Sequence, residues 1–287
     1  MINIAITIDL DRDCPMPVQG VRNAVSDILI PDFNGETDAV FDCTVQGLTR
    51  TLELLKDLGI KATFFIEART VLYLCEKNSE LIKLLTKNEI CCHGMNHEDL
   101  TGEITGVPLD YNQQLKILEE ATQTIKSVLK VKPKGFRAPY LKASSDTIKA
   151  LTRLGYLYDS SIMVETIEPP FPYRINGKQI NIIEVPLPVY PQKSGKMTLY
   201  TWALFEKRRN IDEYIKAINI YHKNDKGGLF QISFHPWHLA YFIREKRVLK
   251  EEEIEANVND LKKLFSQLNE DCNEMFTVSE YLNKIEI

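Results

Sequence analysis

The segment NIAITIDLD, residues 3–11, constrains the fold more than any other stretch of this chain. It is rich in Ile and apolar on both faces. A strand of this kind must be covered on both sides, which is the condition of a parallel sheet packed with helices. The rest of the chain repeats the theme, with strand-like and helix-like segments in alternation. TVQGLTRTLELLKDLG reads as a helix closed by Gly59 as C-cap. IKATFFIEA is a strand, and TVLYLCEKNSELIKLLTKN is helical in two pieces. EICC is a short strand, and LDYNQQLKILEEATQTIKSVLK is a helix with Asp110 as N-cap. PKGFRAP is a strand end, and SSDTIKALTRLG is a helix capped by Ser144 or Ser145. INIIEVPL and GLFQISFH are strands; residues 211–221 and 250–269 are helices. Repeated strand–helix units imply an α/β chain with a parallel sheet, open or closed into a barrel.

Two stretches break the rhythm. Residues 14–43 hold Pro15, Pro17, Pro31 and Gly35 without a clear period and read as an inserted loop. Six of the thirteen prolines fall between Pro169 and Pro191, which marks an excursion near residues 165–200. With 287 residues, the whole is expected to be one catalytic domain carrying these two insertions.

A hydrophobic share of 44% allows a buried core, and a net charge of −5 argues against a sequence-independent nucleic-acid partner. The six cysteines form no CxxC pair; Cys91 and Cys92 read as buried free thiols. MINIAITIDLDRD lacks a secretory pattern, and no apolar run reaches the roughly 18 residues of a membrane span. The expectation is a cytoplasmic chain with no transmembrane segment and an open oligomeric state.

The chemistry sits where strands stop. NIAITIDLD ends in Asp9 and Asp11, EICC in His93, GFRAP in Arg137 and QISFH in His235. In parallel α/β folds the C-terminal strand ends share one face, so these residues are expected to converge. Asp plus two His is a workable ligand set for a divalent ion, with an open position for water. A second carboxylate could take that water's proton, and a further His could protonate a leaving group. HxxxH alone, His93 and His97, is weak evidence. Asp9, Asp11 and Asp13 could instead form a solvated turn, and Cys14 could be a soft ligand near them. His238 reads as a packing or surface residue rather than a ligand. Trp237, Phe171, Tyr173, Tyr190 and Trp202 are open between packing and a sugar platform. Four of the five histidines lie in the two strand-end clusters, which the bland readings do not explain.

In order, TIDLD, HGMNH, FRAPY, YDSS and SFHPWH resemble the motifs of the polysaccharide deacetylase family (NodB homology, carbohydrate esterase family 4), over about Ile4 to His238. The resemblance implies a distorted, TIM-like (β/α) barrel, often of seven strands. It implies a hydrolase using a divalent metal, Zn²⁺ foremost, with Co²⁺, Ni²⁺ or Mn²⁺ as further candidates. Matched by motif, Asp9 is the catalytic base, and Asp11, His93 and His97 are the metal ligands. Arg137 pairs with the base, and Tyr140 lends its backbone N–H to the oxyanion. Asp159 orients the catalytic histidine, and His235 is the general acid. Here Leu10 separates the two acids, which are adjacent in the usual first motif, so the roles of Asp9 and Asp11 are open to exchange. The spaced pattern is similar to a subgroup with cyclic-imide hydrolases, allantoinase-like proteins and sugar deformylases. Ile162 and Met163 stand where an aromatic is usual. The leading expectation is removal of an N-acetyl group from an amino sugar or related carbohydrate. The alternatives are hydrolysis of a cyclic imide or ureide C–N bond, a deformylase, and a carbohydrate-binding pseudoenzyme.

Overall fold

The computed structural model describes residues 2–12, 41–177, 180–192, 195–222, 227–245, 247–270 and 274–287. The expected insertion at 14–43 therefore lies almost wholly outside the described residues, as do Asp13 and Cys14.

Seven parallel strands form the frame: β1 (Asn3–Leu10), β2 (Thr63–Ile66), β3 (Glu89–Cys92), β4 (Gly135–Phe136), β5 (Tyr158–Asp159), β6 (Ile183–Glu184) and β7 (Leu229–Phe234). Their spatial order is β7-β1-β2-β3-β4-β5-β6. β1 is buried from Ile4 to Leu10, as its two-sided apolar pattern requires. It pairs with β7 from Asn3↔Leu229 to Ile8↔Phe234, and with β2 from Thr7↔Thr63 to Leu10↔Ile66. The sheet curls into a half-barrel. An antiparallel strand, Tyr173–Arg174, borders β6, and Glu274–Phe276 runs parallel beside the start of β1. Across the remaining gap Gln231 of β7 donates through Nε2 to the carbonyls of Val185 and Pro186, at 3.1 and 3.0 Å.

The helices between the strands are α1 (Asp42–Leu58), α2 (Ala68–Lys77), α3 (Ser79–Leu85), α4 (Tyr111–Leu129) and α5 (Ser145–Leu154). Their ends carry the residues read from sequence. Gly59 closes α1 at φ 67°, and Asp110–Gln113 and Ser144–Thr147 form capping boxes. α1 lies directly against the turn that follows β7: a Cβ at Gly47 would meet the Pro236 carbonyl oxygen at 1.8 Å. The proline-rich excursion folds as a small sheet of Met163–Glu165, Leu187–Gln192 and Gly195–Thr198. The chain leaving it pairs with β7: Ser233 N–H donates to Leu199 O, and Thr201 N–H to Ser233 O. Tyr200 is thereby seated beside the end of β7. Among the described residues no helix is long and apolar enough to cross a membrane.

Candidate metal centre and active site

The strand-end residues share the C-terminal edge of the half-barrel, where Asp9, His93 and His235 line a cavity of about 420 Å³. Asp9 lies on β1 and Asp11 just past its end, two residues on, and both point the same way, as continued alternation of the extended chain gives. His93 follows β3 directly. His97 is returned to the same spot by the tight turn Gly94–Asn96, with Gly94 at φ 84° and His97 itself at φ 59°. A left-handed non-glycine residue persists only where its surroundings hold it. Here the holder is Glu98, whose buried carboxylate accepts from the backbone N–H of Met95 (3.0 Å) and Asn96 (2.9 Å). Asp99 plays the equivalent part for the next loop, accepting from the N–H groups of Gly102, Ile104 and Thr105.

Asp11, His93 and His97 each offer one ligand atom, and these atoms lie within 4.8 Å of one another. All three residues are buried. His93 Nδ1 lies 2.7 Å from the Arg137 carbonyl oxygen. A carbonyl can only accept, so the neutral ring carries its proton on Nδ1 and leaves Nε2 as a free lone pair. Asp11 Oδ1 accepts the indole N–H of Trp237 at 2.9 Å, whereas Asp11 Oδ2, 3.4 Å from His97 Nε2, is buried without a hydrogen-bond donor among the described residues. Burial, then the nearby charges of Glu67 and Asp9, push the Asp11 carboxyl well above its ordinary range. Burial, followed by the like charges of His93 and Arg12, holds His97 well below its usual value. An orphaned carboxylate oxygen beside two neutral imidazoles is the donor set a divalent cation satisfies, so the residues fit such an ion.

Asp9 is held differently. Its Oδ1 accepts from Arg137 Nη1 at 2.7 Å and its Oδ2 from the Tyr200 hydroxyl at 2.8 Å. Burial raises its pKa, but Arg137, the two nearby histidines and the Tyr200 bond together outweigh it and leave the carboxyl below its ordinary value. Arg137 is fully buried and lies over the Phe65 ring at 4.1 Å. It also donates to Ser160 O (3.1 Å), Ser160 Oγ (3.2 Å) and Gln231 Oε1 (3.0 Å). The Gln231 that bridges the gap in the barrel thus also braces the arginine that holds Asp9. His235 reaches into the cavity with Nε2 3.8 Å from Asp9 Oδ2 and 3.9 Å from Asp11 Oδ2. Burial lowers its pKa to about 4. Tyr140, at φ 58°, lines the cavity with its ring edge-on to His97, 4.6 Å between centroids.

Asp159 is the exception. The expectation that it orients His235 is not met. Its Oδ1 accepts from Ser161 Oγ at 2.6 Å, it also accepts from the backbone of Ser160 and Ser161, and it touches the carboxyl of Glu184, its register partner on β6. The carboxylates near His235 are instead Asp9 and Asp11. Among the described residues Asp159 Oδ2 and Glu184 Oε2 are both buried with no N–H or O–H donor from elsewhere, so the two carboxyls in contact share a proton. Burial, then the Asp159 charge, pushes Glu184 up to about 11. A carboxyl raised on folding contributes stability in full below its unfolded pKa and loses it as pH rises toward the folded value. Glu184→Gln keeps the acceptor for Ile162 N–H and offers an N–H to Asp159. It should therefore raise the melting temperature at pH 8 by several degrees more than at pH 4.5. Thermal unfolding at the two pH values checks this; an equal shift at both would contradict the shared proton.

Residues 39–158 match the sequence model of the family described as polysaccharide deacetylase. Over these residues the chain resembles the polysaccharide deacetylase family. It is 32% identical over 171 residues to the peptidoglycan deacetylase-like protein FGM2 of Gibberella zeae, a match covering 56% of this chain and 44% of that protein. It is 27% identical over 125 residues to the peptidoglycan deacetylase of Helicobacter pylori, covering 43% and 39%. The matches thus span less than half the length of these relatives. A Mycobacterium smegmatis structure described as a polysaccharide deacetylase superposes with a TM-score of 0.68 over 99% of this chain and 89% of that one. At 20% identity this is a likeness of fold.

Several residues beside the site lie outside the motifs. Tyr200 has no local signal; it follows the proline-rich excursion. Gln231 was readable only as a polar residue inside an apolar strand. Of the aromatic candidates, Trp202 and Trp237 line the cavity. Tyr190 is buried and stacked on Tyr221, which makes it packing. His238 is also packing, stacked on Trp237 and bonded to Glu206 at 3.2 Å.

Proposed function

We propose that this chain is a metal-dependent hydrolase that removes an N-acyl group, acetyl foremost, from an amino sugar or related carbohydrate. The observation that carries the reading is the buried Asp11 Oδ2, with no hydrogen-bond donor among the described residues, beside His93 and His97 at the edge of a cavity lined by Asp9 and His235. Asp11, His93 and His97 would hold the ion, with Zn²⁺ as the leading candidate and Co²⁺, Ni²⁺ or Mn²⁺ as alternatives. When bound, such an ion polarises the acyl oxygen and makes a water acidic. Asp9 Oδ2 takes the proton of the attacking water, while Arg137 keeps Asp9 charged and oriented. The backbone N–H of Tyr140 serves the developing oxyanion, and its left-handed turn sets the direction of that N–H. With its pKa near 4, His235 is neutral at rest. It therefore works as a carrier, passing the proton from Asp9 to the departing amine rather than arriving charged. Trp202, which lines the cavity and is partly exposed, offers a flat apolar face of the kind a sugar ring stacks on.

The test is a chelated and metal-reconstituted preparation, offered N-acetylated amino-sugar oligomers and cyclic imides. Acetate release that is lost on chelation and restored by Zn²⁺ or Co²⁺ is the expected result. Ring opening without acetate release would replace the acyl reading with the imide one. A protein that takes up no divalent ion would overturn both.

A further inference from the structure

We propose that Tyr200 keeps Asp9 out of the coordination of the bound ion, so that the base stays distinct from the ligand set; this rests on the metal-dependent reading above. Asp9 and Asp11 are chemically identical and stand two residues apart at the end of β1. Their Oδ2 atoms lie almost equally far from His235 Nε2, at 3.8 and 3.9 Å. Two carboxylates therefore converge on one spot beside two histidines, and either would suit a divalent cation. Something other than residue type must sort them.

Hydrogen bonding sorts them. Asp11 has one oxygen committed to Trp237 and one without a donor. Asp9 has both oxygens committed, Oδ1 to Arg137 and Oδ2 to Tyr200. Arg137 alone would not suffice, because a turn of the carboxylate could present Oδ2 to a cation while Oδ1 kept its bond. Among the described residues Tyr200 is the one hydrogen-bond donor to Oδ2. It is also firmly placed. Its flanking backbone pairs with Ser233 of β7, its carbonyl accepts the Tyr214 hydroxyl at 3.1 Å, and its ring lies beside His235, 5.9 Å between centroids. The phenol thus reaches Asp9 from a fixed backbone. Partners that orient groups around a metal site commonly change affinity or activity 10- to 100-fold when removed. Tyr200 differs in sign: removing its hydroxyl should free a competing ligand rather than weaken an existing one.

Tyr200→Phe keeps the ring and deletes only that hydroxyl. Three quantities are to be measured: the Zn²⁺ dissociation constant by chelator competition, the visible spectrum of the Co²⁺ form, and kcat and KM for acetate release. The expected result is at least threefold tighter metal binding and a Co²⁺ spectrum of higher coordination. kcat should fall at least tenfold with KM within twofold. Combining Tyr200→Phe with Asp9→Asn should return the metal affinity to that of Asp9→Asn alone. Tyr200→Gln, which restores a donor, should keep near wild-type affinity and serves if the Phe variant does not fold. Unchanged or weaker metal binding in Tyr200→Phe, or an unchanged Co²⁺ spectrum, overturns the proposal even if turnover falls. A wild-type protein that binds no metal defeats the proposed function itself. A wild type that binds metal and turns over, beside an unaltered Tyr200→Phe, defeats this inference alone.

Discussion

Asp9→Asn should retain its divalent metal and lose turnover by about two to four orders of magnitude, the usual share of a positioned general base. The amide is isosteric, so its oxygen can still accept from Arg137 Nη1, the 2.7 Å bond that fixes this side chain. What disappears is the charge and the lone pair facing the cavity at Oδ2. Asp11→Asn should do the reverse and reduce metal content, because it replaces the carboxylate oxygen beside His93 and His97 that has no hydrogen-bond donor among the described residues. Metal analysis of the two purified variants, with acetate release on each, separates base from ligand. Loss of metal in Asp9→Asn and retention in Asp11→Asn would mean that the two acids exchange roles, the alternative that their i, i+2 spacing leaves open.

Arg137→Met should cost about 3–5 kcal/mol of stability, the range found when one member of a buried ion pair is deleted. The side chain has no exposed surface, so its removal cannot be made good by water. Asp9 would stand buried and unpaired beside Asp11, and Ser160 and Gln231 would lose their shared donor. The pair with Asp9 is not itself a large net source of stability, since desolvating both charges offsets most of the attraction. The penalty comes from leaving one charge behind. Asp9→Asn combined with Arg137→Met should therefore be more stable than Arg137→Met alone, although neither should show turnover. Urea unfolding of the single and double variants measures the difference. A double variant no better than Arg137→Met would place the cost in the Ser160–Gln231 contacts instead.

Much of this site was legible before any coordinates. Asp9, Asp11, His93, Arg137 and His235 were readable because an apolar strand that stops at a charged or imidazole side chain is a local pattern. The Gly94 turn, the Gly59 cap and the Asp110 and Ser144 caps were readable for the same reason. Asp159 misled because YDSS identifies the residue but not its partner. Its neighbour in space, Glu184, is 25 positions away and becomes adjacent only when β5 pairs with β6. The strand Glu274–Phe276 and the final helix Val278–Lys284 went unread, although the Thr277–Glu280 capping box was a signal for the latter.

The sequence by itself pointed to the parallel α/β architecture, the edge on which chemistry gathers, and the two local pairs, Asp9 with Asp11 and His93 with His97, from which a metal site could be built. These follow from periodicity and from residues two to four apart, whereas bringing the two pairs to one spot takes the parallel pairing of the strands. The tertiary structure decided which atoms of those residues are occupied and which are left open. Tyr200 meets Asp9 across 191 positions, Trp237 meets Asp11 across 226, and Gln231 meets Arg137 across 94. No local pattern encodes such meetings. They arise when the curled sheet brings β7 beside β1 and the chain around Tyr200 pairs with the end of β7.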